Sequence, residues 1–225
     1  MEEALRPECA RCRVETKICR SKEGSGPKFC PTKTKGKELQ AALGKYKDQK
    51  TLRFAKAASL QEAECYVRRD EKPFVMRPTK TRVEEIIEFA QKMGFRKLGV
   101  AFCAGLFAEG NAFVGILEKH GFEVVSVCCK VGGVPKEFLG LAEEEKVRIG
   151  AYETMCNPIN QAEILNAAGT DFNVLVGLCV GHDSLFFKNA EAPTTVLVAK
   201  DRVLGHNPVA ALYGVNTYFQ RLMNR

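Results

Sequence analysis

Several familiar signatures are missing from this 225-residue sequence. Met1 to Glu8 carries three glutamates and no apolar run, so no secretory leader is expected. The one stretch that could pass for a membrane span, Leu98 to Leu117, is interrupted by Glu109, Asn111 and several glycines. A charge at mid-span costs about 2.5–3.5 kcal/mol even on a lenient insertion scale, so a buried strand and a helix separated by a break fit better. No repeat of fixed period and no low-complexity tract is found. Gly105 to Ala112 has the G-x4-G skeleton of a phosphate loop but lacks its Lys and Ser/Thr, which argues against nucleotide hydrolysis by that route. No G-x-G-x-x-G follows the first predicted strand, and there is no G-x-S-x-G elbow. Histidine is scarce, with three residues and no H-E-x-x-H helix.

Cysteine is not scarce. The ten cysteines make up about 4% of the chain, below the roughly 8–10% of a disulfide scaffold. A chain of this length buries a core without covalent staples. In a cytoplasmic, reducing setting, which is the expected location, ten cysteines read as metal or thiol chemistry.

The net charge of +7 is uneven. Residues 1–50 hold 13 Lys/Arg against 7 Asp/Glu, and the other 175 hold 21 against 20. A basic, cysteine-bearing segment, residues 1–37, therefore precedes a nearly neutral body, residues 38–225. Gly24 to Pro27 and Lys33 to Lys37 read as loop and linker. A basic segment can meet phosphate. Only Phe29 and Tyr46 stand among these charges, too few to interleave with them, so a solvated surface is favoured over a nucleic-acid partner.

The body alternates strands with helices. Leu39 to Arg69 reads as two helices or one broken one, with Leu52, Ala55, Leu60, Ala63 and Val67 on an apolar face. Thr81 to Glu84 has capping-box form ahead of a helix that Gly94 closes. Strands are expected at Lys97–Cys103, Glu123–Cys129, Asn173–Cys179 and Thr194–Ala199. Helices are expected at Phe107–His120, Glu137–Arg148, Pro158–Ala168, Asp183–Asn189 and Pro208–Leu222. This pattern predicts a doubly wound α/β fold with a mostly parallel four-stranded sheet in the order 2-1-3-4.

Cys9, Cys12, Cys19 and Cys30 form C-x2-C-x6-C-x10-C, followed by Pro31. Four thiolates complete a tetrahedral zinc site or hold an iron–sulfur cluster. The close pair supplies two ligands from one turn, and Gly24 to Pro27 lets the chain double back for Cys30. The spacing decides for neither zinc nor iron–sulfur.

A second set depends on the strands. Cys103, the pair Cys128 and Cys129, and Cys179 stand at strand ends, which share one edge in a parallel sheet. Open α/β sheets place ligands along that edge. Cys156-Asn157-Pro158 and His206-Asn207-Pro208 each put a reactive side chain just before a helix start, with Asn expected as N-cap and Pro at the first helical position. Positive potential there favours a thiolate. His182-Asp183 offers a third such entry with Asp183 as cap. Cys156, Cys179, His182 and His206 are thus the candidate nucleophiles, acid–base groups or ligands, and Cys103, Cys128 and Cys129 the candidate cofactor contacts. Successive strand residues face opposite sides, so at most one of Cys128 and Cys129 faces the site. Cys65 reads as core, and His120 as a helix-end residue. Lys130 to Gly133 reads equally as an anion-binding loop or a plain turn.

Taken together, Cys9-Ala10-Arg11-Cys12, Cys30-Pro31-Thr32, Cys156-Asn157-Pro158, Gly177 to Asp183 and Lys200 to Pro208 resemble an uncharacterised family of metal-binding proteins, known mainly from anaerobic bacteria and archaea. The resemblance implies a metal site at the N-terminal cysteines and carries no established reaction. Three functions compete. The first is a redox or thiol-dependent enzyme acting on a small molecule, with Asp183 or Asp201 orienting a histidine. The second is a metal-binding or metal-sensing module without turnover. The third, disfavoured because it leaves the strand-end cysteines without a role, is a nucleic-acid-binding protein. No membrane partner is expected.

Overall fold

The computed structural model describes residues 6–224. Most of the Met1–Glu8 stretch read for a leader, and residue 225, therefore lie outside the described residues. The chain divides into two compact units, Met1–Glu62 and Ala63–Arg225.

The first unit holds a short helix Pro31–Thr34 (α1) and the helix Gly36–Lys45 (α2), and most of Gln49–Glu64 (α3). The two expected helices of this region are present. Their buried positions differ from the expected stripe. Ala57 and Gln61 are buried, whereas Leu52, Leu60 and Val67 are exposed. Small apolar residues and a glutamine occupy the covered face of α3, so a count of large apolar side chains points to the wrong side.

The second unit is built on four parallel strands, Lys97–Phe102 (β1), Glu123–Cys128 (β2), Phe172–Val176 (β3) and Thr194–Val198 (β4), in the order β2-β1-β3-β4. The expected sheet order holds, and every pairing is parallel. β1 and β3 occupy the centre. All five residues of β3, and all of β1 except Lys97, are buried, which is why both read as unbroken apolar runs.

Helices Arg82–Met93 (α4), Phe107–Lys119 (α5), Pro158–Ala167 (α6) and His182–Asn189 (α7) flank the sheet. α4 opens on the expected capping box between Thr81 and Glu84 and ends on Gly94 in the left-handed region. It buries Ile86, Ile87, Phe89 and Ala90. Phe89, Phe95 and Phe172 meet there with ring centroids 5.6–6.3 Å apart. Arg82 donates to the Val196 carbonyl at 2.8 Å and to Thr195 Oγ1 at 2.9 Å, occupying groups of the edge strand β4.

Two expected helices take other forms. Glu137–Arg148 is not a helix but two 3-10 turns, Lys136–Leu139 and Glu143–Glu145. Gly140 breaks the run at φ 76°, and Lys146 folds back onto Glu137 and onto Glu143. The closing helix Pro208–Leu222 is reduced to Val209–Tyr213 (α8) and a 3-10 turn Gln220–Leu222. It stops at Gly214, against which the Phe219 ring packs: an added Cβ would stand 2.7 Å from that ring. Among the described residues no helix is long and apolar enough to cross a membrane.

Candidate functional site

Main-chain hydrogen bonds at the carboxyl edge of the sheet bring three cysteines from separate segments side by side. β1 runs out at Phe102, and Cys103 stays extended while its N–H donates to the Val176 carbonyl at 3.1 Å. The Cys129 N–H donates to the Phe102 carbonyl at 2.8 Å, and the Asn157 N–H donates to the Cys129 carbonyl at 2.7 Å. The segments of Cys103, Cys129 and Cys156 are thereby laid next to one another. Gln161, fully buried on α6, ties the same ends down: its Nε2 donates to the Phe102 carbonyl at 3.3 Å and to the Val127 carbonyl at 2.7 Å.

The side chains form a line. Cys129 has Cys103 and Cys156 as its sulfur neighbours, and Cys156 in turn neighbours His182 at the start of α7. The Ala104 N–H also points at Cys129 Sγ, at 3.3 Å. Cys103 and Cys129 are buried, whereas Cys156 and His182 are half-buried. The line opens to solvent at the Cys156 end.

Position on this line decides protonation. The hydrogen bond from Cys129 holds the Cys103 thiol down to about 5, helped by the Gly105 N–H and the Lys200 ammonium and opposed by burial. Cys156 is held down to about 4 by Cys129 first, then by His182 and the charge of Lys130. Cys129 is pushed far up, because it keeps the proton that it shares with both neighbours and because it is buried. His182 is raised by its bond to Cys156. Of the three thiols Cys129 is therefore the last to lose its proton, and the neighbouring His182 favours its cationic form.

The other predicted residues make different contacts. Cys128, the last residue of β2, stays outside the line while its neighbour Cys129 takes the inner position, as strand alternation requires. Cys179 lies beyond the end of β3, and its Sγ accepts from Arg202 Nη2 at 3.0 Å, which raises the guanidinium. His206 has a left-handed backbone, φ 66°, and its Nδ1 accepts from the Asp201 N–H at 3.1 Å, so its proton sits on Nε2 when neutral. Neither aspartate orients a histidine through its carboxylate. Asp183 Oδ1 accepts from the Gly181 and Ser184 N–H groups, and Asp201 Oδ1 from those of Val203 and Leu204. These aspartates satisfy their own turns first, a habit of short acidic side chains in loops. The N-cap of α7 is Gly181 rather than Asp183, and Pro208 rather than Asn207 precedes α8. Asn157 does cap α6, accepting from the Asn160 N–H at 3.0 Å, with Pro158 at the first helical position. Lys130 to Gly133 folds as a turn. Its Val131 and Gly133 N–H groups close onto the Cys128 and Lys130 carbonyls, so they are not free to cradle an anion.

Cys65 is buried and its thiol meets Glu85 Oε1 at 3.1 Å. In the first unit, Cys9–Arg11 is a single 3-10 turn closed by the Cys12 N–H on the Cys9 carbonyl at 3.1 Å. The loop doubles back as expected, with the Ile18 N–H on the Ser25 carbonyl at 2.8 Å. Only glycine fits at Gly24, where a Cβ would stand 2.4 Å from the Lys17 carbonyl carbon. Cys30 is buried, but Cys9 and Cys19 are exposed. Among the described residues no three His, Cys, Asp or Glu side chains converge as a metal-binding group.

Sequence reasoning missed Lys200, Lys130, Arg202 and Gln161. Three of them were visible as cations immediately after a strand end: Lys130 follows Cys129, and Lys200 and Arg202 follow β4. Gln161 carried no signal, since a glutamine early in a helix is ordinary.

A parallel α/β unit with a line of thiols at its carboxyl edge is the class that fold and site define. The chain belongs to the family described as protein of unknown function (DUF1847), whose model matches residues 30–197. An uncharacterized protein of Methanocaldococcus jannaschii is 46% identical over 184 residues, 82% of this chain and 87% of the relative. Among solved structures, Dph2 of Pyrococcus horikoshii with a 4Fe-4S cluster overlays with a TM-score of 0.33 at 17% identity, covering 64% of this chain and 34% of that one. A second Dph2 structure from the same organism gives a TM-score of 0.32 at 16% identity. The chain spans about a third of the length of these solved structures.

Proposed function

We propose that this protein performs thiolate chemistry on an electrophilic small molecule at the carboxyl edge of its sheet, with Cys156 as the nucleophile. The observation that carries the reading is the main-chain bonding that lays Cys103, Cys129 and Cys156 together at the sheet edge, with His182 beside the half-buried Cys156. Cys156 is the one thiol of the line that solvent reaches, and it is paired with a cation. A thiolate at neutral pH is the reactive form. His182, whose cationic form Cys156 favours, supplies charge stabilisation and a proton for a leaving group. Lys200 and Lys130 add positive charge on either side.

The test is the pH profile of alkylation of the full chain with iodoacetamide, read peptide by peptide by mass spectrometry. Cys156 should react about as fast at pH 6 as at pH 8, whereas an ordinary thiol near 9.0 slows about tenfold per unit. A Cys156 rate that follows the ordinary thiol overturns the reading.

We further propose that Cys9, Cys12, Cys19 and Cys30 bind zinc or an iron–sulfur cluster. The single turn that carries Cys9 and Cys12 supports this, since it presents two sulfurs from one side of the chain. The four do not converge as they stand, and no catalytic step is assigned to a metal. Metal and acid-labile sulfide analysis of anaerobically purified protein tests the proposal. About one equivalent of zinc, or of cluster iron with sulfide, is expected. It should be lost in Cys9→Ser/Cys12→Ser, and retention of metal in that variant refutes the assignment.

A further inference from the structure

Beyond a reactive Cys156, we infer that Cys129 is the resolving partner of Cys156, so that the sheet edge is a two-electron dithiol–disulfide centre whose substrates are low-molecular-weight disulfides. The inference rests on the thiolate reading of Cys156 and adds to it a second sulfur, a base and a substrate class.

Geometry supports each role. The Asn157 N–H bonds the Cys129 carbonyl at 2.7 Å. That bond holds the segment of Cys156 directly against Cys129, the side-by-side placement a disulfide needs. Burial sets the order of events. Cys129 is 2% exposed and stands behind the half-buried Cys156. A disulfide arriving from solvent therefore meets Cys156 first, and Cys129 is the next sulfur along. Cys103 neighbours Cys129 on its other side and is itself buried, with the Lys200 ammonium alongside. Gly105 keeps this corner open: a Cβ there would stand 3.3 Å from Lys200 Nζ and 4.0 Å from Cys103 Sγ. Cys179 is engaged elsewhere, with Arg202.

The steps balance. The Cys156 thiolate attacks one sulfur of R–S–S–R, forming a Cys156–S–S–R mixed disulfide and expelling R–S⁻. Once Cys156 is in the mixed disulfide its charge no longer holds the Cys129 proton in place, and Cys129 gives that proton to the Cys103 thiolate. The Cys129 sulfur attacks Cys156 Sγ, the Cys129–Cys156 disulfide forms, and the second R–S⁻ leaves. The protein dithiol is oxidised by two electrons, the small disulfide is reduced to two thiols, and Cys103 retains the proton. A thiol pair as reductant reverses the sequence.

Glutathione disulfide added to the full, reduced Cys128→Ser protein tests this, because the Cys129 peptide then holds a single cysteine. Two thiols should be released per chain, and non-reducing peptide mapping with fragmentation should find Cys129 joined to Cys156. In Cys129→Ser, one thiol should be released and a mixed disulfide should persist on Cys156. In Cys103→Ser, release of the first thiol should be unchanged and release of the second slowed by at least about tenfold. Release of one thiol in the parent, or a disulfide joining any other pair, overturns the inference. Rapid Cys156 alkylation at pH 6 alongside that failure would leave the proposed function standing. Loss of both would remove both.

Discussion

Three cysteines of one residue type hold three different states here because each has different neighbours. Cys156 is acted on by Cys129 and His182, Cys103 by Cys129 and the nearby Lys200, and Cys129 by both of the other sulfurs. The thiol in the middle keeps its proton because each outer sulfur is more stable as an acceptor. The contribution of His182 can be separated from that of Cys129 by His182→Asn, which removes the cation at similar size. Cys156 should then rise from about 4, yet stay below the ordinary 9.0, because the Cys129 hydrogen bond, the larger influence, remains. At pH 6 the alkylation rate of Cys156 should fall a few-fold. An unchanged rate would mean that the imidazolium does not act on the thiolate.

At the scale of elements, the site depends on where β1 and β2 stop, and Gln161 of α6 fastens both ends. Replacing it with Leu removes two hydrogen bonds to the Phe102 and Val127 carbonyls in a fully buried place. The expected loss is about 1–3 kcal/mol of stability, measured as a lower urea midpoint. It should be partly offset because Gln161 Oε1, which has no partner among the described residues, is removed as well. Cys129 should also become easier to alkylate. The strands and the caps of α4 and α6 were legible in the sequence. Buried strands write long apolar runs, and Thr81, Gly94, Asn157 and Pro158 act within a few residues of themselves. Parallel topology then placed the strand-end cysteines on one edge. The sequence could not say which of them meet. That choice is made by long-range main-chain bonds such as Asn157 to Cys129 and Cys129 to Phe102, which no local spacing encodes. Glu137–Arg148 was misread for a related reason: its helical composition yields to Gly140 and to the Lys146 clamp on Glu137 and Glu143.

For the molecule as a whole, the thiol line should make the stability of the sheet-bearing unit depend on pH. In the unfolded chain these thiols hold protons up to about 9.0, whereas folded Cys103 and Cys156 release theirs at about 5 and about 4. Between about 5 and 9.0 the unfolded state therefore binds more protons at both positions, and stability rises with pH. His182 works in the opposite sense. Its folded pKa is raised above 6.5, so from 6.5 up to that raised value the folded state holds the extra proton and offsets Cys156. The rise should be steep between about pH 5 and 6.5, gentler on Cys103 alone up to the raised His182 value, and steeper again beyond it. Glu153, held down to about 2 by Lys136 at 2.9 Å, adds stability that is lost as pH falls from 4.5 through 2. Cys129, raised, acts above 9.0, where the unfolded thiol ionises and the folded one does not, so stability turns down there. Protection factors of β1 and β3 amides, measured by hydrogen exchange from pH 5 to 10, report this unit directly. They should climb to a maximum near the ordinary thiol value of 9.0 and then decline. Cys103→Ser should flatten the segment above pH 6.5, and Cys156→Ser should reduce the climb below it. A profile level from pH 5 to 9 in the parent would show that the folded sulfurs keep their protons, and that the edge of the sheet holds thiols instead of thiolates.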